Sequence, residues 1–191
     1  MVRFFGLSVA ALTLACAVSG SAIAREIKVE FSETFQARLV EEDGFVEPID
    51  TRRDIGRRAR ATRELSYGIE EADSLRDYIT KRVDEAMTRR GIPADSFQFN
   101  VLLVDAIPNR LTKAQFRRDY LLDFGLTRAF GGAELTGQVV DASGKVVANV
   151  RTRQWPSPTD SLLGASATWG DAHIAIDSFA EKMAKAAAKV K

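Results

Sequence analysis

His173 is the only histidine of the chain, so every histidine-dependent mechanism would have to use it. Asp177 follows four residues later, one helical turn on, where a carboxylate can orient an imidazole as a general base. A nucleophile for that base is missing, because residues 164–168 (Gly-Ala-Ser-Ala-Thr) lack the final glycine and the preceding strand of a nucleophile elbow. We therefore interpret His173 and Asp177 as a surface pair on a helix.

The sequence contains no familiar metal or cofactor motif. One histidine and one cysteine cannot supply a usual zinc site, which leaves only an unusual, carboxylate-rich one. Residues 141–144 resemble a fragment of a calcium loop, but no acidic ligand follows at the required spacing. Neither a G-x-G-x-x-G loop nor a Walker pattern is present. We expect no metal and no cofactor.

Carboxylates leave one catalytic alternative open. Two carboxyl groups roughly 5 to 10 Å apart can hydrolyse a glycosidic bond without a cofactor. Asp105, Asp171 and His173 are the residues that could take part. A hydrolase of this kind is the alternative to a module that only binds.

Residues 52–63 concentrate one side-chain type, because six of them are arginines. Guanidinium groups bind phosphates and carboxylates in a forked geometry. Five acidic residues lie in or beside this segment and can neutralise it: Asp50, Asp54, Glu64, Glu70 and Glu71. A solvated, partly self-paired segment is therefore favoured over a ligand site. If the segment does bind, Arg57, Arg58 and Arg60 are the candidates.

Two further candidate positions lie in loops at strand ends, where function is commonly located. Asn109 and Arg110 follow a predicted central strand, and Trp155 follows a predicted hairpin. Arginine and tryptophan are enriched in binding hot spots, although a tryptophan at the edge of a core is the more common case. The candidate binding residues are Arg57, Arg58, Arg60, Asn109, Arg110 and Trp155.

Apolar residues at steps of three and four predict two long helices, over 74–90 and 171–190. Asp73 or Ser74 would accept hydrogen bonds at the start of the first helix, and Gly91 would adopt the left-handed conformation after its end. Three lysines occupy the exposed side of the second helix: Lys182, Lys185 and Lys189. These two helices are the most strongly patterned elements of the chain.

Alternating apolar residues predict strands over 27–31 and 97–105. A hairpin is predicted from 133–140 and 145–153, joined by a four-residue turn that ends in glycine. Strands, hairpin and helices in this order predict an α+β fold, a mostly antiparallel sheet with the two long helices packed on one face.

Less regular structure is expected elsewhere. Residues 41–70 are predicted to be mostly irregular. Thr112 and Gln115 resemble a capping box and predict a short helix to about residue 122, with Phe116 and Tyr120 turned inward.

Residues 1–24 are typical of a secretory signal peptide. Arg3 supplies the positive start, and residues 4–18 form an apolar run too short to cross a bilayer comfortably. Residues 22–24, Ala-Ile-Ala, match an A-x-A cleavage site. We expect cleavage before Arg25, which would leave no transmembrane segment and place the protein in the periplasm or outside the cell.

Cys16 leaves an alternative to plain cleavage. The segment that ends at Cys16 partly resembles a lipoprotein cleavage box, although Thr13 occupies the position where leucine is expected. An outer-membrane lipoprotein anchored through Cys16 is therefore the alternative to a free periplasmic protein. After plain cleavage no cysteine would remain, so no disulfide could form.

Removal of residues 1–24 takes away Arg3 and no acidic residue, which leaves 26 basic and 26 acidic side chains. A neutral chain of about 167 residues argues against a nucleic-acid partner and is long enough for one domain. Residues 25–71 would contribute a strand and the arginine-rich segment, and residues 72–191 the α+β core of the same domain.

Several short motifs resemble uncharacterised secreted proteins of proteobacteria. They are Asp-Ala-Ile-Pro-Asn-Arg at 105–110, Gly-Gly-Ala at 131–133, Trp-Gly-Asp-Ala at 169–172 and Phe-Ala at 179–180, together with the signal peptide. The resemblance covers residues 72–185, implies a periplasmic α+β domain and transfers no catalytic residue. We expect a non-catalytic binding or envelope-assembly module whose partner is an envelope protein or an anionic envelope component, and whose binding weakens with salt.

Overall fold

A computed structural model describes residues 25–40, 66–118, 130–155 and 167–190 of the chain. The elements in these ranges are β1 (Ile27–Phe31), α1 (Glu33–Leu39), α2 (Glu70–Arg89), β2 (Phe97–Ile107), α3 (Lys113–Arg118), β3 (Gly132–Asp141), β4 (Val146–Gln154) and α4 (Gly170–Val190). The predicted Arg57, Arg58 and Arg60 lie outside the described residues, as do Tyr120 and most of the segment 41–70.

The four strands form one sheet in the order β1-β2-β3-β4. β1 runs parallel to β2, whereas β2 with β3 and β3 with β4 are antiparallel. The parallel pair requires a crossover connection, and α2 lies within it. The α+β class and a mostly antiparallel sheet agree with the expectation from the sequence.

The hydrophobic core lies between one face of the sheet and the two long helices. α4 packs against β3 and β4, and α2 packs against β1 and against α4. The largest fully buried side chains come from both layers and include Phe99, Leu103, Leu135, Ile176 and Phe179. Helix pairing is parallel, since successive contacts join Glu71 to Trp169, Tyr78 to His173, Arg82 to Asp177 and Arg89 to Glu181.

Gly137 of β3 lets α4 approach the sheet closely. A Cβ atom at this position would lie 2.6 Å from Cζ of Phe179 and 2.9 Å from Sδ of Met183. Any larger residue would therefore push the helix or its side chains away from the sheet.

The start of α2 corrects one expectation. The helix begins at Glu70, and Ile69 at its N-cap makes no side-chain capping bond, so Asp73 and Ser74 lie inside the helix and do not cap it. Acidic residues in the first turn compensate, because they interact favourably with the positive end of the helix dipole. The C-terminal expectation is confirmed, since Gly91 has φ 63°.

Local turn and capping chemistry agrees with the sequence patterns. Oδ1 of Asp141 accepts hydrogen bonds from the backbone N–H groups of Ser143 and Lys145, and Gly144 has φ 82°. Thr112 and Gln115 form the reciprocal pair of a capping box at the start of α3. The expectation for Phe116 was wrong, because its side chain is exposed and does not turn inward.

Helix α1 was not anticipated from the sequence. Oγ of Ser32 accepts from the backbone N–H of Phe35 at 3.1 Å, and the apolar side chains of Phe35 and Leu39 are buried one turn apart. Of the helices in the four described ranges, none has the length and apolar content that crossing a membrane requires.

Candidate binding face of the sheet

One face of the sheet carries no helix from the described part of the chain. Along β2, Phe99, Val101 and Leu103 enter the core, while Asn100 and Leu102 between them point to the opposite side. The same alternation along the other strands collects their polar side chains on this side. We call this surface the open face.

Strand register aligns the side chains of the open face in two rows across the sheet. One row is Lys28, Asn100, Gln138 and Asn149, and the next is Glu30, Leu102, Thr136 and Arg151. Side chains of both rows line a shallow depression of about 530 Å³. That volume lies in the range of small-molecule sites.

The charged groups of the open face are paired with one another. Nζ of Lys28 lies 2.7 Å from Oε1 of Glu30. Toward the opposite edge of the sheet, Nε and Nη2 of Arg151 both donate to Oε1 of Glu134, at 3.0 and 2.5 Å. Nε of Arg153 lies 3.6 Å from Oε2 of the same carboxylate. These pairs are exposed apart from Glu134, so they set the charge of the surface more than they stabilise the fold.

Three carboxamides stand side by side in the middle of the face. Asn100, Gln138 and Asn149 are all exposed, and their side chains make no hydrogen bond to any described residue. Neighbouring strands are about 4.8 Å apart, so the three groups form a continuous line across three strands. We call them the carboxamide row. Each amide offers two N–H donors and one carbonyl acceptor to a ligand.

Asn109 has a different position from the one expected for a binding loop. It is fully buried, and its Nδ2 donates to Oδ2 of Asp171 at 2.5 Å while its Oδ1 accepts from the Asp171 backbone at 2.8 Å. Gly131 donates to the same Oδ2 at 3.1 Å. Asn109 therefore connects the end of β2 to the starts of β3 and α4, and its contacts lie inside the fold.

Arg110 and Trp155 are both half-buried. The Trp155 ring packs against β3, since a Cβ on Gly132 would lie 2.5 Å from it. Asn109 contacts the adjacent Gly131, so the structure brings Asn109 and Trp155 to one end of the sheet. Neither residue lines the depression on the open face.

Trp169 lies at the edge of the core, which is a more common position for a tryptophan than a binding site. Its side chain is buried, its Nε1 donates to Oε2 of Glu71 at 2.7 Å, and its ring meets the edge of Tyr67 at 5.6 Å between centroids.

The carboxylates considered for hydrolysis are each held by other groups. Oδ1 of Asp105 accepts from Arg38 at 2.7 Å; burial raises the pKa of the Asp105 carboxyl, and the Arg38 guanidinium offsets part of that rise. Its cross-strand neighbour Glu134 already binds two arginines. Asp171 is held by Asn109 and Gly131. The carboxyl groups of Asp105, Glu134 and Asp171 are thus all engaged in contacts within the fold.

His173 lies between the two long helices. Its ring stacks on that of Tyr78 with 3.9 Å between centroids, and burial lowers its pKa while Asp177 partly offsets this. Asp177 also accepts from the Tyr78 hydroxyl at 3.1 Å and from Nε of Arg82 at 2.6 Å. His173 and Asp177 thus belong to the contact between α2 and α4. The described residues contain no group of three or more ligating side chains placed to hold a metal ion.

The open face was missed from the sequence, although a signal was present. Asn100 interrupts an apolar strand, and Gln138 and Asn149 lie in the two strands of the predicted hairpin, where a register shift between Val139 and Val140 brings them opposite each other. No protein-family model matches the chain, and no curated protein and no solved structure is similar to it.

Proposed function

We propose that this chain is an exported, non-catalytic binding module of the bacterial periplasm, and that it binds its ligand on the open face. The observation that carries the proposal is a depression of about 530 Å³ lined by polar side chains on a sheet face that no described helix covers. The acidic residues and the histidine considered for catalysis are, in contrast, engaged in contacts within the fold.

The export part of the proposal rests on the signal pattern and on the position of Arg25. This residue directly follows the A-x-A site, and its guanidinium contacts the Asp84 carboxylate and donates to the Ile92 carbonyl at 2.7 Å. Its side chain is only 5% exposed. The first residue of the proposed mature chain is thus held against the end of α2.

Intact mass spectrometry of the protein from the cell envelope tests export. We expect the mass of a chain that begins at Arg25. A mass that corresponds to an acylated Cys16 at the N-terminus would replace the free periplasmic protein with a membrane-anchored lipoprotein. Full-length protein in the cytoplasm would contradict export altogether.

Capture of ligands from an envelope extract tests binding. The wild type is compared with an open-face variant (Asn100→Ala, Gln138→Ala and Asn149→Ala combined) and with an arginine variant (Arg57→Ala, Arg58→Ala and Arg60→Ala combined). Gln98→Ala is the matched control, because Gln98 is an exposed carboxamide of β2 that does not line the depression.

We expect the open-face variant to lose the captured material and the Gln98→Ala control to retain it. Loss in the arginine variant alone would favour the anionic partner expected from residues 52–63 over the open face. Equal capture by all four proteins would contradict both binding surfaces.

A further inference from the structure

We infer that the open face is a site for a neutral, hydroxyl-rich saccharide. The inference rests on the proposed binding function and adds the chemical class of the ligand. It is carried by the carboxamide row, by the pairing of the charges around it and by the position of the depression over the central strands.

The carboxamide row has the hydrogen-bonding character that a sugar requires. A sugar hydroxyl is both a donor and an acceptor, and each carboxamide of Asn100, Gln138 and Asn149 is both as well. The Thr136 hydroxyl in the adjacent row adds a further group of the same kind. Because the three carboxamides are exposed and make no hydrogen bond to the described residues, a ligand that binds them breaks no hydrogen bond within the described part of the chain.

The charge of the depression favours an uncharged ligand. Lys28 is paired with Glu30 and Arg151 with Glu134, so no unpaired charge lines the two rows. An anionic ligand would have to compete with the carboxylates for these cations. A neutral ligand leaves both ion pairs intact, and its affinity should depend little on salt.

The strands beneath the depression argue against an extended peptide as the ligand. A peptide gains affinity from a sheet by adding a strand to a free edge. The depression spans the faces of all four strands and is centred on β2 and β3, each of which is already paired on both sides. A ligand there must be recognised through side chains, which suits a molecule whose hydrogen-bonding groups surround it, as in a saccharide.

Leu102 supplies the apolar part of the site. Its half-buried side chain lies in the second row, next to Thr136, and can contact the C–H groups of a sugar ring. The residues that line the depression include no aromatic ring, so the strong stacking found in many sugar sites is missing. We therefore expect weak binding, with a dissociation constant on the order of 1 mM.

The test is a titration of the ¹⁵N-labelled mature protein with three neutral trisaccharides: triacetylchitotriose, maltotriose and cellotriose. The readout is the side-chain NH₂ resonances of the carboxamide row, each assigned from its loss in the single alanine variant. We expect at least one trisaccharide to shift these resonances saturably below about 20 mM. Asn100→Ala with Gln138→Ala should weaken binding about tenfold, and the Gln98→Ala control should change it less than about twofold.

Two further arms separate the saccharide from other ligands. Raising the salt from about 50 mM to about 500 mM should leave the affinity for the trisaccharide within about twofold. A sulfated hexasaccharide and an uncharged extended heptapeptide serve as the anionic and peptide probes. We expect neither to shift the carboxamide row.

The inference is overturned if no trisaccharide shifts these resonances, if the Gln98→Ala control weakens binding as much as the double variant, or if the anionic or peptide probe binds in their place. Its failure is distinguishable from failure of the proposed function. If the open-face variant loses its ligand from the envelope extract and no saccharide binds, the binding face stands and only the ligand class is wrong.

Discussion

Asn109 and Asp171 hold each other through two hydrogen bonds, one between side chains at 2.5 Å and one from the Asp171 backbone to Oδ1 of Asn109 at 2.8 Å. The backbone of Gly131 donates to the same carboxylate oxygen, and the backbone of Asn109 donates to the Thr168 carbonyl at 2.7 Å. Three segments distant in sequence therefore meet at one buried carboxylate. This contact fixes where α4 begins relative to the sheet.

Asn109→Ala should lower the free energy of unfolding by about 3 kcal/mol, because it removes a donor from a buried carboxylate and leaves that charge under-solvated. Urea denaturation followed by circular dichroism measures the change. Asn149→Ala is the matched control, since it truncates an exposed asparagine on the open face and should change stability by less than about 0.5 kcal/mol. Equal stability of the two variants would show that the buried contact contributes little.

Gly137→Ala should lower the free energy of unfolding by about 1 to 3 kcal/mol, because the added methyl group overlaps the Phe179 ring and the Met183 sulfur. Urea denaturation again gives the size of the effect. Phe179→Leu should lower the free energy of unfolding less in the Gly137→Ala variant than in the wild type, since the smaller side chain relieves the overlap. Strict additivity of the two substitutions would contradict the close approach of α4 to β3 at this point.

The elements that the sequence predicted correctly are those whose signals are local. Periodicity revealed α2 and α4 over many turns, and the Asp141–Gly144 turn revealed the hairpin. Helix α1 has seven residues and only two buried apolar side chains, too few for a periodic signal. The parallel pairing of β1 with β2 connects residues about seventy positions apart, so no local pattern reports it.

The candidate site was harder to predict, because it depends on register. Asn100, Gln138 and Asn149 become neighbours only when three strands pair, and in the sequence each looks like an ordinary exposed polar residue. Asn109 raised the opposite difficulty. It lies in a loop rich in polar residues, which is typical of a surface, yet its carboxamide is buried against a carboxylate 62 residues further along the chain.

Thr112→Ala should lower the free energy of unfolding by about 1 kcal/mol, because the Thr112 hydroxyl accepts from the backbone N–H of Gln115 at 3.3 Å at the start of α3. Thr112→Ser keeps the hydroxyl and should remain within about 0.5 kcal/mol of the wild type. Urea denaturation of both variants measures the two values. A serine variant as unstable as the alanine variant would assign the effect to the lost methyl group and not to the cap.

The stability of the wild type should rise with pH through the range where His173 titrates. Burial against Tyr78 lowers the pKa of His173 below its ordinary 6.5, and the attraction of Asp177 only partly offsets this because Arg82 and the Tyr78 hydroxyl already bind that carboxylate. Arg82 also pairs with Glu85. Between the lowered pKa and 6.5 the unfolded chain therefore binds more protons than the folded one.

The sign follows from that difference in bound protons. Stability that is fully present above pH 6.5 is lost as the pH falls toward the lowered pKa of His173. Burial raises the pKa of Asp105, and this makes stability fall with rising pH in a lower pH range. The wild type is therefore compared with His173→Phe, which keeps a ring against Tyr78 and contains the same Asp105. Urea denaturation between about pH 5 and about pH 8 should show the two curves parallel at the top of the range and diverging below it. An NMR titration of the His173 ring that gives a pKa at or above 6.5 would contradict the buried, stacked position between α2 and α4.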